Sequence, residues 1–263
     1  MGPMSATKSA RKGRAAEGQG TDGEEAAFLE AYVPADFPRP SVSVDIAVFS
    51  IVDAELQVLL VRRGVHPFKG AWALPGGFVR VGDGHRDQGE DLDAAALREL
   101  HEETGLGASD VFLEQLGAFG KAGRDPRMRI ITIAYYALVR PDLVVRAGGD
   151  ATHAEWVPVQ GLRAKALAFD HAEILDRATA RIAERIDATD IAQSLVPKTF
   201  TIPELRAVRG IVTGEPQDPG NFRRRFQRMI EEGLIEQAPG KRITASKPAA
   251  VYRFVTPKGR GKA

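Results

Sequence analysis

The 263 residues include no cysteine. That excludes disulfides, thiolate zinc sites and cysteine nucleophiles, and makes a cytoplasmic address the default expectation. Long apolar runs are missing too: none approaches the length of about 18 residues that a membrane span requires. The N-terminus has no apolar leader core, so neither export nor a membrane partner is expected. Histidine is scarce. His66, His85, His101, His153 and His171 fall at no ligand spacing, which leaves them to structural or surface roles. No internal repeat occurs at solenoid spacing.

Apolar residues make up 43% of the chain, enough for proper cores, and the 27% of charged residues is ordinary for a soluble protein. The net charge of +1 hides an asymmetry. Residues 196–263 hold 14 Lys and Arg against 6 Asp and Glu, a net +8, which leaves −7 for residues 1–195. An acidic front and a basic back point to two modules with different partners, a polyanion suiting the back.

The acidic front centres on Glu90 to Leu106, EDLDAAALRELHEETGL, introduced by Leu74-Pro75-Gly76-Gly77-Phe78-Val79. On a helix, Glu99, Glu102 and Glu103 fall within an arc of roughly 100°, with Ala96, Leu97 and Leu100 on the adjoining, core-facing side. Three carboxylates on one flank repel each other unless a cation sits among them. Hard oxygen ligands around a small gap suit Mg²⁺ or Mn²⁺, so Glu99, Glu102 and Glu103 are the candidate metal ligands. Arg98, four residues before Glu102, is placed to orient one carboxylate. Gly105 supplies the helix stop.

Around this helix the chain alternates. β-branched runs at Ser41–Ile51 and Leu56–Val61, broken at Asp53-Ala54-Glu55, predict a hairpin. Further strands are expected at Trp72–Val79, Val111–Phe119, Met128–Val139 and Glu155–Val159. A helical period of apolar residues covers Ala168–Ile186. Beyond Pro197, Thr201 and Asp218 read as N-caps of two helices, Thr201–Arg209 and Asn221–Glu232. On the second helix Phe222, Phe226, Met229 and Ile230 form the apolar stripe. Asn221, Arg224, Gln227 and Arg228 face away, with Arg223 and Arg225 at the edges. Two strands follow, Leu234–Glu236 and Ala250–Phe254, joined by a loose basic hairpin carrying Lys241, Arg242 and Lys247.

Helix, turn, arginine-faced helix and basic hairpin is the order of a winged helix-turn-helix. Its second helix enters the major groove while the wing rides the adjacent backbone. Arginine bonds the O6/N7 edge of guanine and asparagine the corresponding edge of adenine, so Asn221, Arg223, Arg224, Arg225 and Arg228 are candidate DNA contacts. Lys241, Arg242 and Lys247 are the candidate phosphate contacts. A solvated basic face is the bland alternative.

The acidic stretch resembles the Nudix box: glycine, five residues, glutamate, seven residues, then Arg-Glu-apolar-any-Glu-Glu-any-Gly-apolar. The matching positions are Gly84, Glu90, Arg98, Glu99, Leu100, Glu102, Glu103, Gly105 and Leu106. In that family the first glycine is normally the second of the Gly-Gly pair, Gly77 here, so Val81–Gly89 reads as an insertion. The resemblance implies an α/β fold, a mixed-sheet α/β/α sandwich, followed here by a smaller C-terminal winged helix domain. The expected division is a disordered tail over 1–36, a Nudix-like nucleotide-binding domain over 37–190, a winged helix-turn-helix over 191–256 and a basic tail over 257–263.

A second resemblance is more specific. Pro197–Thr201, Asn221–Arg225 and Pro248–Phe254, together with Asp125-Pro126-Arg127-Met128-Arg129, resemble the Nudix-related transcriptional regulators of NAD metabolism. That likeness implies a homodimer on a palindromic duplex operator, repressing NAD biosynthesis or salvage genes and released by ADP-ribose or a relative. Gly76, Gly77, Glu99 and Glu103 are then the expected ligand-binding residues. The box is undegraded, so a Mg²⁺-dependent ADP-ribose pyrophosphatase is the alternative, with Arg98, Glu99, Glu102 and Glu103 in the catalytic roles.

Overall fold

The computed structural model describes residues 21–33, 36–82, 88–143, 154–164, 166–243 and 247–255. The expectations for residues 1–20, Gly84, the wing tip 244–246 and the tail 257–263 lie outside them. The chain forms two compact units, residues 1–39 and 40–263. Where an unstructured tail is expected, the first unit contains a helix, α1 (Thr21–Ala31). Ala26, Ala27 and Leu29 favour helix, and Glu24 and Glu25 lie near its positive end. Tyr32, just after the helix, packs on Phe28 at 5.7 Å and on Phe37 at 5.3 Å between ring centres.

The second unit is built on a seven-stranded mixed sheet. Its centre is β1 (Ser41–Val52), parallel to β6 (Ile130–Val139) on one side and antiparallel to β2 (Glu55–Arg62) on the other. β5 (Val111–Phe119) completes one edge and β7 (Ala154–Pro158) pairs with β2. Asp53 and Ala54, at φ 50° and 60°, turn β1 into β2, the backbone of a two-residue hairpin loop. The single strand expected at Trp72–Val79 is instead two, β3 (Trp72–Ala73) on β2 and β4 (Gly76–Phe78) on β1. Proline cannot donate to a ladder, and Pro75 serves only as acceptor, for the Ile46 amide at 2.8 Å.

Strand alternation sorts β1 onto two cores. Val44, Ile46 and Val48 pack with Ala95, Ala96 and Leu100 of α2 (Leu92–Thr104). Ala47 and Phe49 pack on the other face with Ile174, Leu175, Ala178 and Ile182 of α3 (His171–Arg185). This is the expected α/β/α sandwich. Asp45 shares the parity of Ala47, so the one acid in this strand is buried on the α3 side.

The C-terminal half begins with α4 (Thr189–Ser194), for which the sequence carries no clear signal. α5 (Ile202–Thr213) starts at a capping box: the Thr201 hydroxyl accepts from the Glu204 amide, and the Glu204 carboxylate accepts from the Thr201 amide. It runs one turn past the expected Arg209 and stops at Gly214, φ 71°. α6 (Pro219–Glu231) starts at Asp218, whose carboxylate accepts from the Asn221 amide at 2.7 Å. β8 (Ile235–Arg242) and β9 (Ala249–Phe254) form the wing. Leu205, Val208, Phe222, Phe226 and Phe254 join the same apolar cluster as Ile174 and Ile182 of α3. One continuous core therefore underlies both halves.

Candidate functional site

The Gly-Gly pair brings β4 close to two neighbours. A Cβ on Gly76 would lie 2.2 Å from the Val44 carbonyl oxygen, and one on Gly77 would lie 2.3 Å from Glu99 Oε1. Only glycine lets the strand reach both β1 and α2. From there the Gly76 amide donates to Glu103 Oε2 at 3.1 Å. Burial, reinforced by Glu99 and Asp45 nearby, pushes the Glu103 carboxyl up to about 7, against the lowering effect of that amide.

Arg98 is the hub of the acidic cluster. It donates to Glu90 at 2.5 and 2.9 Å, to Glu99 at 2.6 Å, to Glu102 at 3.2 Å and to the Phe78 carbonyl at 3.2 Å. Its hydrogen bonds to Glu90 hold that carboxyl down at about 2, and the same bonds raise the guanidinium further above its ordinary value. The cation that relieves the crowded carboxylates is thus part of the chain. The insertion does not displace Glu90. The Arg80 amide donates to Glu90 Oε1 at 2.8 Å and the Glu90 amide to the Arg80 carbonyl at 3.0 Å, so Arg80 and Glu90 are tied directly to each other.

The three expected metal ligands are not drawn together. Glu102 turns outward to Arg80, at 3.0 Å, and to Arg98, and its side chain is 47% exposed. Among the described residues no three acidic or histidine side chains converge as ligands for a metal ion. Glu99 and Glu103 stay beside the glycines; Glu102 does not join them. With Glu102 held by its two arginines, the three-carboxylate ion site expected from helix geometry is not assembled.

Next to the glycines lies a cleft of about 150 Å³, whose lining includes Asp45, Arg63, Phe78, Arg124, Arg127 and His171. None of the six was named as a candidate from the sequence. Arg124 is buried and spans Asp170, at 2.5 and 2.8 Å, and Asp45, at 3.3 Å; these partners outweigh its burial and raise its pKa. His171 Nδ1 accepts from the Leu74 amide at 2.9 Å, so the proton of the neutral ring sits on Nε2. That nitrogen lies 3.5 Å from Asp45 and has no hydrogen-bond partner. Burial pushes the His171 pKa down, which keeps the ring neutral. Arg127 clasps Asp125 at 2.7 and 3.0 Å and lies 5.4 Å from the centre of the Phe78 ring. Two sequence signals existed: a lone acid in an apolar strand, and the Asp125-to-Arg129 run.

The second candidate surface is α6. Asn221, Arg223, Arg224, Gln227 and Arg228 are exposed, and the Arg224 guanidinium donates to Asn221 Oδ1. Arg225 departs from the expectation. It turns back to Asp187, at 2.7 Å, and is not on the DNA-facing row. Arg242 departs as well: it pairs with Glu204 at 2.7 Å and with the Thr199 carbonyl at 2.8 Å, tying the wing to α5. Both arginines lie near a carboxylate from a distant part of the chain, which composition cannot reveal. Lys241 and Lys247 remain exposed on the wing. No helix among the described residues is long and apolar enough to cross a membrane.

Comparison with known proteins bears on both surfaces. Residues 42–178 match the NUDIX domain, and residues 192–254 match the NrtR DNA-binding winged helix domain. The ADPR responsive transcriptional repressor NtrR of Acinetobacter baylyi is 38% identical over 230 residues, 88% of this chain and 88% of its own. An ADP-ribose pyrophosphatase of Methanocaldococcus jannaschii is 37% identical over 140 residues, 52% of this chain and 72% of that protein. The crystal structure of Shewanella oneidensis NrtR complexed with a 27mer DNA matches at 30% identity with a TM-score of 0.66, over 81% of this chain and 93% of that one. The likeness to these repressors runs through the sandwich and the winged helix alike, and the chain belongs to the NrtR family of transcriptional regulators.

Proposed function

We propose that this chain is a transcriptional repressor of NAD biosynthesis or salvage genes, which binds duplex DNA through α6 and the wing and senses ADP-ribose or a related nucleotide in the NUDIX cleft. The observation that carries this reading is the exposed row Asn221, Arg223, Arg224 and Arg228 on a helix that shares one core with that cleft. The row has the donors for guanine and adenine edges, and Lys241 and Lys247 add phosphate contacts. Gly76 and Gly77 line the cleft, with Arg63 and Arg127 as the cations for a diphosphate, and Glu99 and Glu103 stand beside the two glycines. A homodimer on a palindromic operator completes the reading, because one recognition helix spans only one half-site. The relative from Acinetobacter baylyi, named as ADPR responsive, supports the choice of effector.

The test is fluorescence anisotropy on a labelled duplex from the gene's own upstream region and from a selected DNA pool, at physiological salt, with and without ADP-ribose. Tight, sequence-selective binding that ADP-ribose relieves is the expected result; indifference to sequence on both DNAs would sink the reading. A second function is favoured by the undegraded box and by the pyrophosphatase likeness. Here Mg²⁺ or Mn²⁺ would be held by Glu99, Glu102 and Glu103, which requires Glu102 to leave its two arginines. AMP release from ADP-ribose, dependent on added Mg²⁺ and lost in Glu103→Gln, would establish it.

A further inference from the structure

α3 has one end in the nucleotide cleft and the other in the DNA-binding half. At its start Asp170 takes the bidentate pair from Arg124, and His171 accepts the Leu74 amide. Its far end is about 22 Å away for 15 residues at 1.5 Å each. Just beyond, the Asp187 carboxylate receives Arg209 of α5 at 3.1 and 3.2 Å and Arg225 of α6 at 2.7 Å. Arg209 also donates to Gln217, in the turn between those helices, at 3.1 Å. One carboxylate therefore holds both helices of the DNA-binding motif and, through Arg209, the turn that sets their angle. Between the two ends, Ile174, Leu175, Ala178 and Ile182 are buried, so the helix moves only with the core around it.

The charges suit a contact that can be made and unmade. Asp187 is 44% exposed, and Arg209 and Arg225 are 24% and 34% exposed, so water competes for each pair. An effector shifts an equilibrium only through contacts that differ between the two states. Packed cores shift in discrete steps rather than bending continuously, so a small displacement of α3 at the Arg124 end reaches Asp187 as a whole.

We infer that Asp187 is the positioning residue of the recognition helix, and that occupancy of the cleft changes DNA affinity by moving α3 against Arg209 and Arg225. The inference rests on the repressor reading above. It requires that the cleft bind nucleotide without Asp187 while the response of DNA affinity to that nucleotide is lost.

The test uses the full chain and four proteins: wild type, Asp187→Asn, Arg225→Gln and Asp187→Glu, each checked for an unchanged melting transition. ADP-ribose binding is measured without DNA by calorimetry, and duplex affinity by anisotropy with and without saturating ADP-ribose. In wild type the nucleotide is expected to weaken DNA binding by roughly ten-fold or more, within the usual span of allosteric couplings. In Asp187→Asn and Arg225→Gln that ratio should fall below about three-fold, the range of an exposed ion pair, while calorimetry gives wild-type nucleotide affinity. Asp187→Glu, which keeps the carboxylate, should recover most of the response. Retention of the full wild-type ratio in both neutral variants would overturn the role of Asp187 and leave the repressor reading intact. A wild-type protein whose DNA affinity ignores ADP-ribose would overturn that reading, and the inference with it.

Discussion

Glu103 offers the sharpest test of the cleft. Its carboxyl sits at about 7, against 4.5 for the ordinary side chain, because it is largely buried beside Glu99 and Asp45. The folded state therefore binds a proton more tightly than the unfolded chain. Stability from this group is fully present below pH 4.5 and is lost as pH rises through 7. At 1.36 kcal/mol per unit, a shift of this size is worth about 3 kcal/mol in total, of which about 2 to 3 kcal/mol falls between pH 5 and pH 8. Glu103→Gln mimics the protonated form and can still accept from the Gly76 amide. Urea denaturation of both proteins across that range isolates the effect, since every other side chain is common to both. The two should be nearly equally stable at pH 5, with the glutamine variant ahead by about 2 to 3 kcal/mol at pH 8. A difference that stays constant within about 0.5 kcal/mol, the scale of a surface substitution, would refute the assignment of Glu103 to a buried, like-charged site.

Other perturbations separate the roles of neighbouring residues. Gly76→Ala must push β4 off the Val44 carbonyl and should cost about 2 to 4 kcal/mol in urea denaturation, whereas Gly77→Ala meets a side chain that can swing aside, so it should weaken nucleotide binding with less loss of stability. Equal destabilisation by the two would count against the close-approach argument. Arg124→Ala strands the carboxylates of Asp45 and Asp170 and should cost about 3 to 5 kcal/mol, read as a fall in the urea midpoint. Arg224→Ala should weaken operator binding and reduce the salt slope or the base selectivity. Arg242→Ala, whose partner is Glu204, should lower the melting temperature and leave the salt slope unchanged.

Much of the fold was legible in the chain because its signals are local. The Asp53-Ala54 turn, the 3.6-residue period of Ile174 to Ile182, the caps Thr201 and Asp218 and the stop at Gly105 each act over a few residues. α4 is too short for a period to show, and α1 buries no apolar stripe that would announce it. Site geometry is less local. Helix spacing placed Glu99, Glu102 and Glu103 on one flank but said nothing of Arg80, 22 residues away, which draws Glu102 outward. The same limit applies to Arg225 and Arg242: their partners, Asp187 and Glu204, are distant in the chain. Asp45, Arg124 and His171 meet only because β1, the loop after β5 and the start of α3 converge at one end of the sheet.

The two hydrogen bonds between Arg80 and Glu90 uncouple chain length from the site. Arg98 reads the position of Glu90 in space, and the number of residues between Arg80 and Glu90 does not enter. Closure entropy rises only slowly with the number of residues enclosed, by about 0.6 kcal/mol per doubling. The stretch between Arg80 and Glu90 can therefore change in length while the acidic cluster keeps its register.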